Sequence, residues 1–164
     1  MSNKQLFVTA ITDVSDSTSA HIDTLGDIRW VGNKCYKYVA FDNGSAVAAV
    51  SGNACGYVAD TGYAANTVTS DNSASYNGGG AGVFVSVPAD GQYCWIQIKG
   101  PVTLNQDPDT GADGAGLTYH ANATDGMFDR CTDPGSGGAG ANSMAQLGVI
   151  QDDSAKLVSL DCPY

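Results

Sequence analysis

From Ile28 onward, hydrophobic and polar positions alternate in short runs separated by turn-forming residues. The clearest run is Tyr93-Cys-Trp-Ile-Gln-Ile-Lys99. A period of two puts Cys94, Ile96 and Ile98 on one face and Tyr93, Trp95, Gln97 and Lys99 on the other, which predicts a strand. Val83, Val85 and Val87 alternate in the same way across Gly82–Val87, and Cys35–Phe41 reads as a strand rich in aromatic residues. Asp42-Asn43-Gly44 predicts a tight turn before a short apolar run, Ala46–Val50. Gly100-Pro101 predicts a bend with the strand resuming at Val102–Leu104, and further strands are expected near Leu117–Ala121, Met127–Cys131, Ala145–Gln151 and Lys156–Asp161. Asp60–Gly80, low in large hydrophobes, reads as a long loop or two weak strands. Turn signals every ~8–12 residues between about nine or ten short strands predict an all-β fold, with no helix. That fold is a single small β-sandwich or barrel over residues 28–164, carrying long Gly/Asp-rich loops. Residues 1–27 lack clean periodicity and are rich in Ser, Thr and Asp, so they are expected to form an extended N-terminal arm that orders on docking.

Composition narrows this further. All 17 acidic side chains of the 164 residues are Asp, and there are 21 Gly. Both residues favour turns over helix interiors, which excludes a coiled coil or helical bundle. Seven scattered Lys and Arg leave a net charge of −10 without a basic stripe, so neither nucleic acid nor an anionic membrane surface is an expected partner. No run reaches the ~18 apolar residues of a membrane span. Phe7–Ile11 is shorter than the ~7–15-residue core of a secretory signal, so folding in a cytoplasm is expected. Cys35, Cys55, Cys94, Cys131 and Cys162 are odd in number and widely spaced. That argues against a disulfide framework and against zinc, and favours buried small hydrophobes.

The motifs that suggest chemistry do not survive their context. Asp60-Thr-Gly62 and Asp109-Thr-Gly111 spell the aspartic-protease triplet, but neither follows the long buried strand that chemistry requires, so both read as Asp-initiated turns. Gly135–Gly140 matches GxGxxG without a preceding strand or a following helix, and reads as a loop. Asp107, Asp109 and Asp113 offer oxygen ligands to calcium, but without the Glu an EF-hand uses, an acidic solvated loop is favoured. Two histidines, His21 and His120, define no triad. No catalytic residue, metal ligand or cofactor is expected.

Several segments taken together resemble a known family. Gly26-Asp-Ile-Arg-Trp-Val-Gly32, Cys35–Phe41 and Tyr93-Cys-Trp-Ile-Gln-Ile-Lys-Gly-Pro-Val102 occur in that order, followed by Ala123-Thr-Asp-Gly126, Ala145–Val149 and Val158–Tyr164. In order and spacing they are similar to capsid decoration, or cement, proteins of tailed bacteriophages, over about two thirds of the chain from Gly26 on. The resemblance implies a single small β-barrel or jelly-roll-like sandwich, in a non-enzymatic structural protein made in the bacterial host cytoplasm. It would sit on the outer surface of the virion as a homotrimer at three-fold or quasi-three-fold axes, bridging major capsid protein subunits after head expansion. Leu6, Phe7, Val8, Ile11, Trp30, Tyr93 and Trp95 are the expected capsid or subunit contacts. The alternative is a virion-surface or fibre-type module recognising a host glycan, with Tyr93 and Trp95 stacking on sugar.

Overall fold

The computed structural model describes residues 7–16, 23–73, 77–108, 112–119, 124–130 and 146–163. Eleven strands are present among them: β1 (Val14–Ser15), β2 (Ile28–Val31), β3 (Lys34–Phe41), β4 (Ala54–Val58), β5 (Thr67–Thr69), β6 (Asn77–Phe84), β7 (Tyr93–Thr103), β8 (Gly116–Thr118), β9 (Asp129–Arg130), β10 (Gly148–Asp152) and β11 (Leu157–Asp161). All belong to one mixed sheet, ordered β2-β3-β5-β4-β6-β7-β11-β10-β8-β9, with β1 on β7 and a further pairing of β3 with β7. The fold is all-β, as the alternation predicts.

The pairings run in a circuit. β3 lies parallel to β5, and β5–β4, β4–β6, β6–β7 and β7–β3 are antiparallel. The main core draws on every member: Val39 and Phe41 from β3, Tyr57 from β4, Val68 from β5, Val83 and Phe84 from β6, Ile96 and Ile98 from β7. β7 is long enough to leave the circuit. Its second half, from Lys99 to Thr103, pairs with β11 and so brings in the C-terminal hairpin. At the changeover Gly100 has φ +90°, and a Cβ there would sit 2.3 Å from the Asn33 carbonyl oxygen. The two N–H groups of the buried Gln97 amide are shared among the carbonyls of Lys99, Gly100 and Pro101, tying this side chain to the changeover. Gly56 is required by close packing instead. A Cβ there would lie 2.3 Å from the Tyr119 ring, so this glycine lets the ring seat flat against β4.

Three expectations are corrected. Asp42-Asn43-Gly44 does not make a hairpin, because the sheet neighbour of β3 at this end is the parallel β5, and a parallel pair requires a crossover. The loop amides are satisfied by carboxylates: the Gly44 N–H donates to Asp42 and the Ser45 N–H to Asp71. Ala46–Val50 is therefore irregular, not a strand. The 60–80 segment holds more order than a loop. It carries a one-turn helix α1 (Gly62–Ala65), which Asn66 ends in the left-handed conformation at φ 53°, then β5 and the start of β6. Asp60 sits exposed in the turn before α1 at φ 66°, and Asp109–Gly111 and Gly135–Gly140 fall outside the described residues. Cys35, Cys55, Cys94 and Cys162 are all free and buried.

Candidate interaction surface

β3 and β7 are buried on both faces. Their inward residues join the main core. Their outer residues Tyr36, Tyr38 and Trp95 form a second, aromatic cluster, against which Phe7, Ile11, Val85 and Tyr93 pack. The segment expected to stand off as an arm therefore supplies part of the cover, and residues 7–16 lie on the domain. Phe7 meets the Trp95 ring edge-on at 5.5 Å, and the Arg29 guanidinium lies over the Phe7 ring, 5.2 Å from its centre. The Trp95 indole donates to Thr9 Oγ1 at 2.8 Å. Thr9 Oγ1 in turn donates to Asp23, whose two oxygens also accept the Val8 and Thr9 amides at 2.9 and 3.0 Å. Burial opposes ionisation of Asp23. The hydrogen bonds from Thr9 and Val8, with Arg29 nearby, outweigh it and hold the carboxyl below its usual value. Asp23, Thr9 and Arg29 form a clasp that residue types alone did not reveal, because its members are spread over 21 positions and share no periodicity.

The expected contact residues are thus divided. Leu6 lies outside the described residues. Trp95 is fully buried, Phe7, Ile11 and Tyr93 are half-buried, and Tyr93 leans on Tyr38 with ring centroids 6.4 Å apart. Val8 and Trp30 are open to solvent, at 54% and 56%. Trp30 stands on β2, the terminal strand of the sheet, paired to β3 through Trp30↔Cys35 and Ile28↔Lys37. Beside it Val31 is 46% exposed. Among the described residues β2 pairs with β3 alone, which leaves its outer edge open, with Trp30 and Val31 on opposite faces of the strand.

On the same sheet face as Ile28, the Lys37 side chain is buried. Its ammonium donates to Tyr57 Oη at 2.9 Å and lies 5.5 Å from the centre of the exposed Tyr63 ring. Burial holds Lys37 below its usual value. The enclosure is built of two aromatic rings and one phenol oxygen, and burial raises the Tyr57 phenol as it lowers the Lys37 ammonium.

At the other end of β3 the side chains are acidic. Asp42, Asp71, Asp90 and Asp125 each accept a backbone N–H from the connecting loops, from Gly44, Ser45, Asn43 and Asn72 respectively. Asp107 faces Lys156 at 3.7 Å, and Asp113 accepts the Asp153 amide at 2.7 Å. A shallow groove of about 390 Å3 runs beside β10 and β11, and its one ionisable group, Asp161, is paired with Lys99. Among the described residues no helix is long and apolar enough to cross a membrane, and no group of three His, Cys or acidic side chains converges. Among the described residues, large apolar side chains are exposed at Trp30 and Val31 on β2, and also at Val8, Tyr63 and Val87. No family model, curated protein or solved structure matches the chain.

Proposed function

We propose that the chain is a non-enzymatic structural protein of a phage virion. In this reading it binds the outside of the head and bridges major capsid protein subunits as a trimer at three-fold or quasi-three-fold axes. The observation that carries the proposal is the terminal strand β2, where Trp30 and Val31 project into solvent beside an unpaired strand edge. Exposed large apolar groups at a sheet edge serve contact between proteins, because the same feature in a solitary molecule invites aggregation. The segment resemblance points to the same role, and a net charge of −10 suits the outside of a shell better than its DNA-lined interior. The glycan-binding alternative loses its basis in Tyr93 and Trp95, since Trp95 is fully buried and bonded to Thr9.

The test is to add purified protein to expanded, undecorated heads and measure binding and thermal rupture of the shell. Saturable binding with a raised rupture temperature is expected. Protein that leaves the heads bare and untouched while binding a glycan overturns the reading.

A further inference from the structure

We propose that Lys37 is an amine placed to capture small uncharged aldehydes as an imine, with the Tyr57 phenol carrying the protons. The inference is independent of the capsid reading. Within the sheet Lys37 lies between Ile28 of β2 and Ile96 of β7. Tyr57 of β4 meets its ammonium through Oη at 2.9 Å and through its ring at 5.1 Å, and the Tyr63 ring of α1 lies at 5.5 Å. The two rings meet edge-on, with centroids 5.1 Å apart. Among the described residues these phenols are the titratable groups in contact with Lys37, and it makes no ion pair. The carboxylates that take a lysine, Asp161 and Asp107, take Lys99 and Lys156. A lysine kept for its charge is paired, and one kept for its stem holds its head in water. Lys37 does neither.

This setting favours the neutral amine. Burial holds Lys37 below its usual 10.5, and no carboxylate restores the charged form. Burial also raises the Tyr57 phenol, so it stays protonated and able to donate. The Nζ lone pair attacks the aldehyde carbon, and the carbonyl π pair moves to oxygen, which takes the Tyr57 proton. The tyrosinate then takes a proton from nitrogen, leaving the carbinolamine. A second transfer from Tyr57 releases the hydroxyl as water, nitrogen forms the second bond to carbon, and its remaining proton returns to Oη. One amine and one aldehyde give one imine and one water, with no oxidant or reductant. Two phenol rings and two isoleucines disfavour a charged reactant. Entry is past Tyr63, which is 59% exposed on a single helical turn whose N-cap, Thr61, makes no side-chain hydrogen bond.

The experiment treats the full native chain with benzaldehyde and sodium cyanoborohydride, and peptide mass spectrometry follows the benzylamine formed at each lysine. Lys34, Lys99 and Lys156, all partly exposed, are internal comparators. At about pH 8 Lys37 is expected to react at least about ten-fold faster than any of them, and its rate should reach half its maximum below the usual 10.5. In concentrated urea that preference should vanish, which needs no variant. Tyr57→Phe should slow Lys37 by about ten-fold or more and leave the comparators unchanged, with circular dichroism confirming the fold. Lys37 that stays unmodified while the comparators react, or reacts no faster than they do, overturns the proposal and leaves a sealed structural lysine. A preference that survives urea overturns it as well, because it then belongs to the local sequence and not to the enclosure. A folded Tyr57→Phe chain that reacts at the wild-type rate overturns the part given to Tyr57.

Discussion

Lys37 is the residue where local physics is most exposed to test. An ammonium taken out of water needs compensation, and here Tyr57 Oη and the faces of Tyr57 and Tyr63 supply it. Removing only the phenol oxygen, by Tyr57→Phe, should destabilise the fold by about 1–3 kcal/mol, because a buried donor loses its acceptor. Adding Lys37→Met to that variant removes the charge and keeps the length of the stem. The double variant should return to within about 1 kcal/mol of wild type, since replacing both partners of a buried hydrogen bond by apolar groups of similar shape is nearly neutral. Urea midpoints for the two single variants and the double variant measure the coupling. A Lys at a position that alternates with Cys35 and Val39 reads from sequence as a solvated side chain. Its burial depends on α1 laying Tyr63 across it, a contact from a segment with no pattern of its own.

At the scale of elements, the N-terminal cover is held by Asp23 and should respond to acid. The sign follows from a carboxyl whose native value lies below its usual 3.8. Its contribution is complete above that value and is lost as pH falls through the native one. Tryptophan emission in a Trp30→Phe background isolates Trp95, and it should shift to the red below about pH 3.8 as residues 7–16 lift away. Asp23→Asn should weaken the cover by about 1–3 kcal/mol at neutral pH and flatten that acid response. The elements themselves were unequally legible. β7 and β11 announce themselves by side-chain alternation, whereas the expected strand Gly82–Val87 is corrected: β6 ends at Phe84, Val85 bends away and Val87 is exposed. The first half of β6, Asn77-Gly-Gly-Gly80, has almost no side chains to alternate, and β5 and α1 are too short for any period to register. Trp95 shows what alternation does measure. It assigns residues to faces and is silent on whether another segment covers the face, so a sugar platform and a buried cluster looked alike. Trp30, by contrast, keeps its ring exposed on β2. The clasp beneath Phe7 was not legible, because it is made of single polar residues from distant positions.

For the whole molecule, four buried thiols set the alkaline limit. Burial raises all of them above their usual 9.0, Cys94 and Cys162 to about 12. Between those values the unfolded chain has released protons that the native chain still binds, so stability should fall as pH rises from about 9 toward 12. Lys37 acts in the opposite sense, its native value being the lower one, so stability from that single group rises toward 10.5. The phenols of Tyr36, Tyr38, Tyr57 and Tyr119, raised by burial as well, act in the same sense as the thiols above their usual 10.0, so thiols and phenols against one amine leave a net loss. Melting temperature measured in reducing buffer should decline above about pH 9, and Cys94→Ala should make that decline shallower. The strand circuit has a consequence of another kind, for the nascent chain. Cys35 pairs with Lys99, and the circuit stays open until the first half of β7 has been synthesised. Until then β3 and β6 present bare edges, the condition in which strands from neighbouring chains cross-pair. The slow, vulnerable interval in making this protein therefore ends only once the ribosome has released residue 99, and chaperone demand should be set by the first two thirds of the message rather than by the loops that follow.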